Sequence, residues 1–143
     1  TTASMFRGCY VYNQPITFNT PNLLDCGFMF YECFDFNQPL NLDTSNVTTM
    51  QSMFRYATSF NQDVSLLSFV SVTRMDLFFG DKGAEYDVNY MDNLYIKLDQ
   101  DLVFANMVNV NLGFGSIDYT SNGAAARASL INKGFIIQSG NEI

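Results

Sequence analysis

Histidine and tryptophan are absent from this chain of 143 residues, which also has only three prolines and seven basic residues. Without histidine there is no Ser-His-Asp or Cys-His nucleophile system and no imidazole metal ligand. No P-loop, G-x-S-x-G or paired C-x-x-C occurs, and Gly113-Phe114-Gly115 lacks the third glycine that a phosphate loop needs. Fourteen acids make some carboxylate pair inevitable, so such a pair is no sign of glycoside hydrolysis. The chain is therefore expected to be no enzyme, with no cofactor and no metal.

Arg7, Arg55, Arg74, Lys82, Lys97, Arg127 and Lys133 are scattered, and the net charge is −7. Binding to a polynucleotide rests on basic side chains that displace counterions from phosphate, so nucleic acid is excluded as a partner, and so is an anionic membrane held by charge. No apolar run reaches the roughly 18 residues of a membrane span, and no signal peptide is visible.

What the chain has in plenty is phenylalanine and tyrosine, fourteen and eight, spaced regularly. Met5-Phe6, Met29-Phe30 and Met53-Phe54 recur at a spacing of 24, with Leu77-Phe78 as a weaker fourth copy. Tyr12-Asn13-Gln14, Phe36-Asn37-Gln38 and Phe60-Asn61-Gln62 keep the same period. Two motifs on one period imply stacked coils, each too small to bury its own apolar edge. Phe6, Phe30, Phe54 and Phe78 should form one column, and Tyr12, Phe36 and Phe60 another. After Leu66 the third coil drifts, and Val72-Thr73-Arg74-Met75 matches Val47-Thr48-Thr49-Met50 at a spacing of 25, implying a one-residue insertion near positions 67–70.

Alternation at Leu40/Leu42 and Val47/Met50 suits short half-buried strands. Asn13, Asn37 and Asn61 fall at a corner, where amide side chains can satisfy backbone groups and bond the next coil. That gives them a structural role before any ligand. Asp43-Thr44-Ser45-Asn46 is turn chemistry, and the sequon Asn46-Val47-Thr48 is repeat consensus first. Cys9 and Cys33 share a column; parallel side chains suit a disulfide poorly, so both are expected as buried thiols, with Cys26 in the core beside them in register with Met50.

The series Met-Phe, five residues, Phe-Asn-Gln-Pro-Leu, Asp-Thr-Ser-Asn-Val-Thr-Thr-Met resembles the BspA-type repeat. It is similar to a family of unknown function first noted in mycoplasma surface lipoproteins and usually grouped with leucine-rich repeats. Leu42 and Phe18 stand where that family usually has Trp. The resemblance covers residues 1 to about 79 and implies an extracellular, non-catalytic module, as in bacterial adhesins, surface lipoproteins and phage structural proteins. The fold expected is mainly β: a short right-handed β-solenoid, leucine-rich-repeat-like, with a C-terminal β/α cap.

One continuous domain is expected, in three parts. Residues 1–79 are the repeats, beginning mid-coil, which suggests a piece of a longer chain. Residues 80–107 are an acidic loop and a degenerate coil, whose Asp99-Gln100-Asp101 lacks the oxygen count of a calcium loop. Residues 108–143 are a strand-helix-strand cap, with Asn122 as N-cap of a helix over residues 123–133, Gly134 just beyond it and residues 135–137 as the closing strand.

Function should sit where the frame is constant and the filling varies. Residues 7–11, 31–35 and 55–59 differ between coils and bring Tyr10, Tyr31, Phe34, Arg55 and Tyr56, residue types enriched at interface hot spots. Tyr10 and Phe34 share a column and could instead be extra core. The leading expectation is surface attachment to a protein or glycan at a cell surface. The alternative is a structural subunit packed against its neighbours in an assembly such as a bacteriophage virion, as tail, fibre or head decoration.

Overall fold

A computed structural model describes residues 2–17, 20–83, 85–102 and 111–143. Phe18 and the start of the strand-helix-strand cap expected over residues 108–143 lie outside them. Within these residues the chain winds into coils that stack through backbone hydrogen bonds at a fixed offset. The N–H groups of Cys26, Phe28, Phe30 and Glu32 donate to the carbonyls of Thr49, Gln51, Met53 and Arg55. Those of Met50, Ser52, Phe54 and Tyr56 donate to Arg74, Asp76, Phe78 and Gly80.

The residues between them bond within their own coil. Met29, Tyr31 and Cys33 donate back to Cys26, Phe28 and Phe30, three positions earlier. This alternation overturns the expected mainly β, right-handed β-solenoid. A strand needs an extended run that carries the ladder without closing turns on itself. Here every second donor closes a local turn, and the chain passes through positive φ at Ser4 and Gly8, Phe28 and Glu32, Ser52 and Tyr56, Leu77 and Asp81. Among the described residues no strand forms, only isolated parallel bridges such as Asp25 with Thr49 and Thr49 with Arg74. Among the described residues regular structure is confined to a 3-10 turn, Val64–Leu66, and two helices, α1 (Val88–Asp101) and α2 (Ser121–Asn132).

The positive-φ positions also fix the register. Ser52 and Leu77 are equivalent, at the same offset that relates Val47 to Val72, so the partner of Phe54 in the next coil is Phe79, not the expected Phe78. Phe6, Phe30 and Phe54 stack at 5.5 Å and within 7° of parallel. Phe79 continues them at 5.6 Å, while Phe78 meets Phe54 edge-on and occupies the column of Met29 and Met53. The second column, Tyr12, Phe36 and Phe60, interlocks with the first at 4.1–4.6 Å. Phe30, Phe36, Phe54 and Phe60 are wholly buried, each adding roughly 1.5–3 kcal/mol of transfer free energy.

Where an acidic loop and a degenerate coil are expected over residues 80–107, the chain forms helix α1. Asp87 caps it by accepting the Asn89 N–H at 2.8 Å, and Met91, Leu94, Tyr95 and Leu98 fall on one buried face. The helix lengthens one coil: Phe78 donates to Leu112 across the whole of α1, whereas Leu112 donates to Ile136 at the ordinary interval of the repeat. Stacking therefore runs on into the C-terminal third, where the described part of the expected strands carries only bridges.

Helix α2 is capped by Thr120, whose hydroxyl accepts from Asn122, so Asn122 lies two residues inside the cap. Gly134 follows with φ 96°. The two helices are tied at both ends. Buried Asp92 accepts the N–H and hydroxyl of Thr120, and Lys133 donates to the Asp99 carboxylate at 2.6 Å.

A candidate partner-binding face

The Met-Phe turn directs its apolar residues inward and the next residues outward. Arg7, Tyr31 and Arg55 share one position in successive coils, and Tyr56 follows Arg55. The guanidinium of Arg7 lies 4.9 Å from the centre of the Tyr31 ring and 5.5 Å from that of Phe28. Tyr31 meets Tyr56 edge-on at 5.6 Å. Arg55 lies over Tyr56 at 5.0 Å, donates to its hydroxyl at 3.3 Å and pairs with Asp81 at 2.8 Å. The hydrogen bond to Asp81 holds the Arg55 pKa above its ordinary value. Three of the five expected site residues, Tyr31, Arg55 and Tyr56, thus form one strip of alternating rings and guanidinium groups.

Tyr10 and Phe34 stack on each other at 5.1 Å and 15°. They are 52% and 40% exposed, which removes the reading of this pair as extra core. They form a second strip three residues further along the coil, continued by Thr58.

Beyond them runs the asparagine row. Oδ1 of Asn13 accepts the backbone N–H of Asn37, Oδ1 of Asn37 that of Asn61, and Oδ1 of Asn61 that of Asp87, all at 2.8–2.9 Å. Gln38 and Gln62 reinforce it from their side-chain amides. The last rung is the cap of α1, so the row positions the helix. Where row and helix meet, a cleft of about 430 Å³ opens, lined by Asn37, Thr58, Ser59, Asn61, Glu85, Tyr86 and Asp87.

Sequence reasoning misses Phe28, Asp81, Glu85 and Asp87 in these places. The 25-residue offset that relates Tyr56 to Asp81 is the one signal available for Asp81. Glu85 and Asp87 depend on α1, which the repeat pattern does not announce.

Elsewhere the titratable groups are structural. Cys9, Cys26 and Cys33 are all free thiols. Burial pushes Cys26 up to about 12 and Cys33 up to about 11, and Cys33 donates to the Phe6 carbonyl. Such groups hold little thiolate at neutral pH. Asp99 and Asp101 are engaged by Lys133 and Lys97. Among the described residues no group of three or more Cys, Asp and Glu gathers as a metal site, and no helix is long and apolar enough to cross a membrane.

No curated protein and no solved structure matches this chain. A family model described as a mycoplasma protein of unknown function, DUF285, matches residues 1–92, more than half the chain, and the chain belongs to that family.

Proposed function

We propose that the chain is a non-catalytic attachment module that works outside the cell, presenting the lateral face of its coils to a protein or glycan on a cell surface. One observation carries this reading. The frame positions of each coil are buried and repetitive, whereas the positions just after the Met-Phe turn bring different aromatic and basic side chains onto one outward face. Rings and arginines held against each other in advance lose little entropy on binding. The test is adhesion: beads coated with the protein are scored on epithelial and bacterial cells, beside beads coated with a Tyr31→Ser/Arg55→Ser variant. Adhesion that the variant loses, at unchanged melting temperature, supports the reading. No adhesion by either protein, or equal adhesion by both, removes it.

A structural role in an assembly such as a virion is the second reading, and a different surface favours it. The outer face of the first coil leaves Met5, Tyr10 and Val11 exposed, the last at 83%, beside an apolar hollow of about 580 Å³ along residues 8–14. A protein that sediments as large particles, and as a monomer once Val11 is made Lys, would favour this reading.

A further inference from the structure

The cleft beside the asparagine row has chemistry that the packing does not use. The row spends only half of each amide. Asn37 and Asn61 give Oδ1 to the backbone of the next rung, and among the described residues their Nδ2 groups have no protein acceptor. Ser59 adds a hydroxyl with no side-chain partner among the described residues, Thr58 adds one that already donates to the Phe34 carbonyl at 3.4 Å, and exposed Glu85 adds a carboxylate. Asp87 already uses one oxygen to cap α1. Next to this wall stands exposed Phe34, one coil before Thr58 in the same column, its carbonyl accepting the N–H of Ser59.

Amide donors, hydroxyls and a carboxylate around one hollow, with an exposed ring at its edge, complement a pyranose. Vicinal hydroxyls both donate and accept, and the C–H face of a neighbouring sugar can pack on an aromatic ring. A phosphorylated or acidic ligand would meet Glu85, Asp87 and a net charge of −7. A cationic peptide would pair with the carboxylates but face the amide N–H groups donor to donor. We infer that this cleft binds a neutral glycan, with one sugar held by Asn61, Thr58, Ser59 and Glu85 and the next packed on Phe34. The inference rests on the attachment reading and narrows its partner.

The probes are cellotetraose, chitotetraose, mannotetraose and maltotetraose, titrated into the ¹⁵N-labelled full chain. At least one should shift the amide resonances of Phe34, Thr58, Ser59 and Glu85 together. A Ser59→Ala/Glu85→Ala variant should bind that sugar at least roughly tenfold more weakly, the loss expected for a hydrogen bond to a charged group. Neither side chain hydrogen-bonds within the described part of the fold, so its melting temperature should move little, the lost attraction of Glu85 for buried Lys82 being the one cost. No shift with any of the four sugars, or shifts that persist unchanged in the variant, would overturn the inference. Bead adhesion separates the two failures: adhesion lost in the Tyr31→Ser/Arg55→Ser variant without any sugar response leaves attachment standing and discards the glycan, and absence of both discards both.

Discussion

The side-chain carbonyl of Asn37 accepts the backbone N–H of Asn61 at 2.9 Å, across one full coil. The same oxygen takes the side-chain amide of Gln62 at 2.9 Å. Asn37→Ala removes this acceptor: the Asn61 N–H is left to find water, and Gln62 keeps only the backbone carbonyl of residue 37, at 3.3 Å. The expected loss is about 0.5–1.5 kcal/mol, seen as a lower urea midpoint at an unchanged slope. Asn37→Asp keeps an acceptor in place and should lose less. An alanine variant as stable as the parent would show that water replaces the row at no cost.

Much of this packing is legible in the amino-acid sequence, because repetition reports on burial. An aromatic column copied once per coil is expected to be buried between coils, and Phe30, Phe54, Phe36 and Phe60 are. Backbone conformation is not legible. The turns lie at Ser52, Tyr56, Phe28 and Glu32 with positive φ, and none of these residues advertises that region as glycine does. Alternating apolar residues then resemble strands, although every second N–H is spent inside its own coil. Met91, Leu94, Tyr95 and Leu98 do carry helical spacing, but a repeat frame extended past its last coil hides it. Tyr31, Arg55 and Tyr56 emerge from variation within that frame. The Glu85 side of the cleft does not, since it exists only because α1 starts at the last rung of the asparagine row.

Gly123 should tolerate no side chain. A Cβ there would stand 2.5 Å from Oδ1 of Asp92, the carboxylate that anchors the start of α2. Gly123→Ala is expected to cost about 1–3 kcal/mol by overpacking. Asp92→Ala removes the nearest obstacle together with the anchor and leaves only the Cα of residue 92 at 3.0 Å, so the double variant should be more stable than the sum of the two single losses predicts. Thermal melts of the four proteins decide it, and strict additivity would place the strain elsewhere.

The pairing of Arg55 with Asp81 is exposed at its acidic end and should contribute little to stability. Asp81→Ala is expected to lose no more than about 1 kcal/mol through the ion pair, less at high salt, beside the cost of placing alanine at the positive φ of this position. Its effect belongs to geometry: Arg55 loses the partner that holds it over Tyr56. Bead adhesion should therefore fall further in Asp81→Ala than the melting temperature does. Equal adhesion by parent and variant would mean that Arg55 needs no orientation.

Lys82 occupies the column of Cys9, Cys33 and Ala57, buried, with its amine donating to the Glu85 carbonyl at 2.7 Å and 5.3 Å from the centre of the Tyr86 ring. Burial pushes its pKa down from 10.5 to about 8, against a smaller opposing pull from Glu85. Below pH 8 the amine is charged in both states, and the folded state bears the desolvation cost. Between pH 8 and 10.5 the unfolded chain holds the proton that the folded chain has released, so this group adds stability as pH rises. Cys26 and Cys33 act in the opposite direction. Their folded pKa values, about 12 and 11, lie above the ordinary 9.0, so their share is lost as pH climbs past 9.0. Tyr86, also raised by burial, adds to that loss above its ordinary value of 10.0. The melting temperature of the parent should thus rise just above pH 8 and turn downward at higher pH. Lys82→Met should abolish the rise and keep the fall, because methionine fills the same column without a proton to lose. A rise that survives in Lys82→Met would assign it to another group and leave the buried amine with no part in the pH response.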